Sequence, residues 1–246
     1  MFLMGFGSVF GKSWREFKSN IGSVFWFAFV FYGIPLLFLT LFLGYNKGLM
    51  DNPNVYSVVL LFLVVIIFAF ISAFPYFGLI SACSKKDKYS FGELFDSGAE
   101  NYWRLLGFCI VLSVFSFLLF ILFIIPGIIF SIYWIFSVYI FAGQKKGILA
   151  SMKESRKIVR GKWWRVFGYY LLMALIVVGF FFVFWILGLI VSSFAFLSGL
   201  VGFISSIFYH SLVAPFSIIF LKNFYLQIKK EKGGKKTGLK KRINKK

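Results

Sequence analysis

From Leu105 to Gly143 the chain runs for 39 residues without a charged side chain. As helix, at about 1.5 Å per residue, that stretch would measure about 58 Å, roughly twice a bilayer's hydrocarbon core. One straight span cannot use that length. Pro126-Gly127 lies where a fold-back is needed, and the pair suits the second and third positions of a tight turn. The pattern therefore predicts a membrane hairpin, Leu105–Ile125 crossing one way and Ile128–Gly143 crossing back. The same logic applies elsewhere. Ser19–Asn46 holds a first span, about Ile21–Leu43, with Pro35 inside it, and Asn52–Ser84 a second, about Ser57–Ala82, with Pro75 inside it. Val166–Leu221 runs 56 residues without a charge and must hold two spans. The Ser-rich stretch Ser192–Ser198 is the natural break, which gives Val166–Val191 and Gly199–Leu221, the latter containing Pro215. The expected fold class is all-α: a polytopic integral membrane protein with six transmembrane helices in three hairpins, plus amphipathic surface helices. The membrane domain is expected over residues 1–225, followed by a disordered basic tail, 226–246.

Charge orients the six spans. Of the 27 Lys and Arg residues, 26 fall before span 1, between spans 2 and 3, between spans 4 and 5, or after span 6. Lys47 alone lies in the other set of links. The positive-inside rule then predicts that both termini are cytoplasmic and that the chain sits in the cytoplasmic (inner) membrane. The first apolar run is too long for the core of a secretory signal and no small-residue cleavage site follows it, so it reads as a retained span. Composition agrees: 60% of residues are hydrophobic and 37 are Phe, which leaves little chain for a separate water-soluble domain.

A weak repeat marks the same plan. Trp103-Arg104 opens span 3, Trp164-Arg165 opens span 5, and Trp14-Arg15 stands before span 1. Interfacial Trp and Arg are common in any case, so the repeat and the ordinary anchor reading both stay open. Ser90-Phe91-Gly92-Glu93 is a capping-box pattern and starts one surface helix. Residues 148–160 form a second. There Ile148, Met152 and Val159, extended by Leu149, make an apolar stripe beside a basic stripe of Lys153, Arg156, Lys157 and Arg160. With Trp163 and Trp164 following, this helix is expected to lie in an anionic headgroup layer.

From Ile125 onward the order is Pro126-Gly127, an aromatic-rich span, Gly147, an amphipathic helix with Ser155, Gly161 and Trp163-Trp164. This resembles the membrane domain found fused to some glycerophosphodiester phosphodiesterases, and related stand-alone prokaryotic inner-membrane proteins. The resemblance covers about Ser90–Phe167 and implies a six-helix bundle. The fused enzymes carry a separate catalytic barrel that this chain has no room for, so their activity is not carried over.

Candidate chemistry is sparse. None of the eight acidic residues falls inside an expected span, and no ligand spacing for a metal and no nucleotide loop or nucleophile elbow is present. No cofactor is expected. Cys83 and Cys109 form no redox or metal spacing. His210 is the one intramembrane ionisable group. It reads either as a functional polar site with Ser206 or as a neutral histidine bonded to a carbonyl or to a serine, with Ser206 and Ser211 close by. Ser198, Gly202, Ser206, His210 and Ala214 recur every four residues, which predicts a small-residue face packed on another span. The expected function is a non-enzymatic membrane protein organising lipid or partner proteins. A small transporter or channel is the alternative, and a lipid enzyme lacks a catalytic set. Expected partners are membrane lipids with anionic headgroups, and a protein partner or a second copy stays open. Nucleic acid is not expected, because the basic tail lacks interleaved aromatics.

Overall fold

The computed structural model describes residues 2–46, 54–144, 146–192 and 194–243, with backbone only at 2–4, 195, 196 and 233–243. Among these residues, six helical segments are long and apolar enough to cross a membrane, and their positions follow the charge-free runs. Span 1 is α1 (Phe2–Ala28), a π turn (Phe29–Gly33) and α2 (Ile34–Tyr45). Span 2 is α3 (Val55–Lys85) and span 3 is α4 (Phe91–Leu122). Span 4 is divided into α5 (Ile124–Trp134) and α6 (Ser137–Gln144). Then α7 (Ile148–Val159) crosses to span 5, α8 (Trp163–Ile190). Span 6 is α9 (Ala195–Phe208), a second π turn (Tyr209–Val213) and α10 (Ala214–Ile243). Among the described residues no strand occurs, and the fold is an all-α polytopic membrane bundle.

Local sequence explains the starts. Asn54 caps α3 by accepting the Ser57 N–H (2.9 Å) while the Ser57 hydroxyl accepts the Asn54 N–H (2.8 Å). Ser90 and Glu93 form the expected capping box at the head of α4. That helix does not stop at the surface, however. It runs unbroken into span 3, because nothing between Phe91 and Leu122 interrupts the backbone ladder.

The turn between spans 3 and 4 differs from expectation. Phe123 alone, extended at φ −157° and ψ 118°, reverses the chain. Pro126 and Gly127 fall in the first turn of α5, where proline's missing N–H has no partner to lose. Gly127 is required by close approach rather than by its φ: a Cβ there would lie 2.8 Å from Cδ1 and 3.2 Å from Cα of Phe120.

The buried core sits at one end of the bundle, the end that carries most of the basic residues. Phe27, Leu79, Leu94, Phe136, Ile140, Val166, Tyr169, Phe220, Phe224 and Ile228 interlock there. A smaller cluster around Leu105, Phe108 and Phe141 lies against it. Toward the far end the side chains are exposed, as at Leu41, Phe62, Phe117 and Ile190, which suits contact with acyl chains. The out-and-back pairs do touch, but the most extensive packing joins α3 to α4, and α1 to α10 closes the ring. The basic tail boundary expected at residue 226 matches no helix end, since α10 continues through to Ile243. Tyr225 and Ile228 are buried, and they carry the helix past that point.

Candidate membrane-surface and intramembrane sites

The helix α7 forms as its sequence pattern predicts, but its apolar face has a different partner. Ser151, Met152, Ser155, Ile158 and Val159 are buried against the bundle, not turned to lipid, and Leu149 is exposed. Ser155 explains the docking. Its hydroxyl donates to the Tyr133 carbonyl (2.7 Å) and accepts the Phe136 N–H (3.3 Å). These two groups flank the break between α5 and α6, so one serine satisfies both sides of a broken span. The basic side chains Lys153, Arg156, Lys157 and Arg160 all remain exposed. Arg156 lies over the rings of Phe130 (5.4 Å) and Tyr133 (5.6 Å), a cation–π arrangement that ties it to span 4.

The two tryptophans part company. Trp164 is 77% exposed, whereas Trp163 turns into the bundle, donates to the Ile129 carbonyl (3.3 Å) and stacks on Phe167. Only Trp164 is therefore placed as a surface anchor. Trp14 and Trp103, its counterparts in the repeat, are also exposed. The arginines beside them diverge. Arg104 donates to the Phe141 carbonyl (2.9 Å) and Arg165 pairs with Glu231 (2.9 Å).

A second lock at this end has no counterpart among the sequence expectations. Lys222, its side chain 3% exposed, donates to Glu16 (2.7 Å) and to Asp87 (2.6 Å). Asn223 donates to the other Glu16 oxygen (2.8 Å), and Asn20 bridges the Glu16 and Asp87 carbonyls while accepting the Tyr89 N–H. The network joins α1, the link 86–90 and α10. The hydrogen bond from Lys222 holds the Asp87 carboxyl below its ordinary range, and burial pushes the Tyr89 phenol above its own. The contacts between Lys222 and Glu16 span 206 positions, and neither residue stands in a motif. The one available signal was that both are charges set within or beside apolar runs.

Further along α10, Glu231 also pairs with Lys162, and Lys232 donates to the carbonyls of Lys157, Ile158 and Arg160. That lysine caps the C-terminal turn of α7. The chain then passes through Gly161, whose φ of +84° favours glycine, into α8.

At mid-span, His210 points into the bundle. Its Nδ1 is hydrogen-bonded to the Tyr76 hydroxyl, and its ring stacks on Tyr32 with centroids 3.6 Å apart. Ser206 is not its partner, because that hydroxyl donates to the Gly202 carbonyl (3.0 Å), and the buried Ser211 hydroxyl has no hydrogen-bond partner among the described residues. The small-residue face also divides. Successive steps of four advance about 40° around a helix, so the stripe winds off any single face. Ala214 and His210 turn inward, while Gly202 is exposed and a Cβ there meets nothing within 4 Å. Ser198 and Gly202 instead line an open groove of about 400 Å³ with Phe181, Phe184 and Trp185 of α8. Among the described residues, no three His, Cys, Asp or Glu side chains gather as a metal site would require. No family model matches the chain, and the comparisons with curated proteins and with solved structures found no match.

Proposed function

We propose that this membrane protein is non-enzymatic and organises anionic lipid at its basic end, with α7 as the contact element. The observation that carries the reading is the rigid display of Lys153, Arg156, Lys157 and Arg160. All four are exposed, three on a helix whose opposite face is buried and Arg160 at its C-cap, with Ser155 docking the helix and Lys232 closing its C-terminal turn. Each base near an anionic surface contributes about 1 kcal/mol, and a fixed spacing avoids the ordering cost that a flexible loop would carry. The exposed Trp164 adds an amphipathic ring at the same level.

Native mass spectrometry of the protein in mixed micelles of phosphatidylglycerol and phosphatidylcholine tests this. The wild type is expected to retain phosphatidylglycerol preferentially. The variant Lys153→Gln/Arg156→Gln/Lys157→Gln/Arg160→Gln is expected to lose about tenfold or more of that preference. Equal retention of both lipids by the wild type, or an unchanged preference in the variant, would refute the proposal.

One observation favours the alternative, a small-solute transporter. Two π turns and three prolines surround His210 at mid-span, and broken helices are the usual setting of a transport site. The cavity beside His210, between Pro75 and Pro215, is about 10 Å³, the size of a single water. This smallness ranks the transporter reading second.

A further inference from the structure

Spans 1 and 6 are interrupted in the same way and at the same level. Each holds a five-residue π turn closed by one wide backbone bond, Ile34 N–H to Phe29 and Ala214 N–H to Tyr209. Each turn is followed, after one residue, by a proline, Pro35 or Pro215. The π turn and the missing proline N–H both leave carbonyls outside the regular ladder, and such positions are where helices bend. Span 2 carries Pro75 beside them, and the carbonyl of Phe70, five residues before that proline, accepts the Tyr102 hydroxyl (2.6 Å).

The segments on either side of these breaks are held very differently. On the basic side, α1 and α10 are tied by the Lys222–Glu16–Asp87 network and by the rings of Phe6, Phe10, Phe216 and Phe220. On the far side, α2 has no buried residue, and the described side chains of α9 are exposed or half-buried. Across the break itself one side chain joins all three spans: His210 of the second π turn stacks on Tyr32 of the first and bonds to Tyr76, the residue after Pro75.

We propose that the two π turns and Pro75 form a hinge plane across spans 1, 2 and 6, and that His210 is its latch. With the latch closed, the far halves of spans 1 and 6 keep one angle to the locked basic halves. With it open, α2 and α9 swing while the basic end stays fixed. The energetic logic is that a bistable joint needs a weakly packed arm, a strongly packed base and a contact that differs between states. The lipid reading above neither requires nor excludes this motion.

The test uses the full chain with Cys83 and Cys109 replaced by Ala. Spin-label pairs are placed at the exposed Leu41 and Leu200 for the far end, and at the exposed Arg15 and Lys230 for the basic end. Tyr76→Phe keeps the ring and removes the hydroxyl, so the fold is retained, and His210→Leu removes both latch contacts. Both variants are expected to broaden the far-end distance distribution to about twice its wild-type width and to leave the basic-end distribution unchanged. His210→Gln, whose amide can still accept from Tyr76, is expected to restore part of the narrow distribution. A far-end distribution unchanged in both variants overturns the hinge. Equal broadening at both ends, which marks general loosening, overturns it as well.

Discussion

Lys222 is the residue on which the basic end depends most. A buried pair broken on one side leaves an uncompensated charge, which costs roughly 3–5 kcal/mol. Lys222→Met is therefore expected to lower the thermal midpoint in detergent far more than Lys230→Met, whose side chain is exposed. The double variant Lys222→Met/Glu16→Met should recover much of the loss, because the charge it leaves unpaired, Asp87, is mostly exposed to solvent. Asp87 adds a pH dependence of known sign. Its folded pKa is depressed by Lys222, so its contribution is complete above the ordinary aspartate value of 3.8 and is lost as pH falls below it. The side chain is 65% exposed, and solvent screening keeps that contribution small. Midpoints measured from pH 6 down to pH 3 are expected to fall less steeply in Asp87→Asn than in the wild type.

Among the elements, the turn from span 3 to span 4 and the groove beside span 6 make opposite demands on glycine. Gly127→Leu would drive a side chain into Phe120, including its backbone, and is expected to cost several kcal/mol, within the range of overpacking and turn strain. Gly202→Leu meets open space and is expected to be nearly neutral. A comparison of the two midpoints checks this, and equal losses would contradict it. Ser155→Ala leaves the Phe136 N–H and the Tyr133 carbonyl without that partner, for an expected loss of about 1–3 kcal/mol. These contrasts also show what the sequence could reveal. The α7 helix and its stripes were legible because a 3.6-residue period survives any environment, yet the period cannot say whether lipid or protein covers the apolar face. Pro126-Gly127 marked the fold-back to within a few residues. The pivot itself, Phe123, has no turn chemistry to announce it. The small stripe around Gly202 misled because steps of four drift around the helix and a glycine can line a gap as readily as a contact.

For the whole molecule, six spans were legible from the charge-free runs, since lipid admits few other solutions for so much apolar chain. The packing order was not, because the contacts of α1 with α10 and of α3 with α4 join segments that no local pattern pairs. From the charge asymmetry we propose that the basic end is cytoplasmic. A reporter active only outside the cytoplasm, fused after Lys246, is expected to be silent, and strong activity would reverse the orientation.

The lysine cap on α7 has a consequence for biogenesis. Lys232 follows Ile158 by 74 positions, so a ribosome completes α7 and two further spans before it makes the residue that closes that helix's last turn. The last turn of α7 is therefore closed only once α10 has docked. A chain stopped after Leu226 is expected to leave the last turn of α7 without that cap. Protease protection of α7, compared between the full chain and that truncation, would read this order directly.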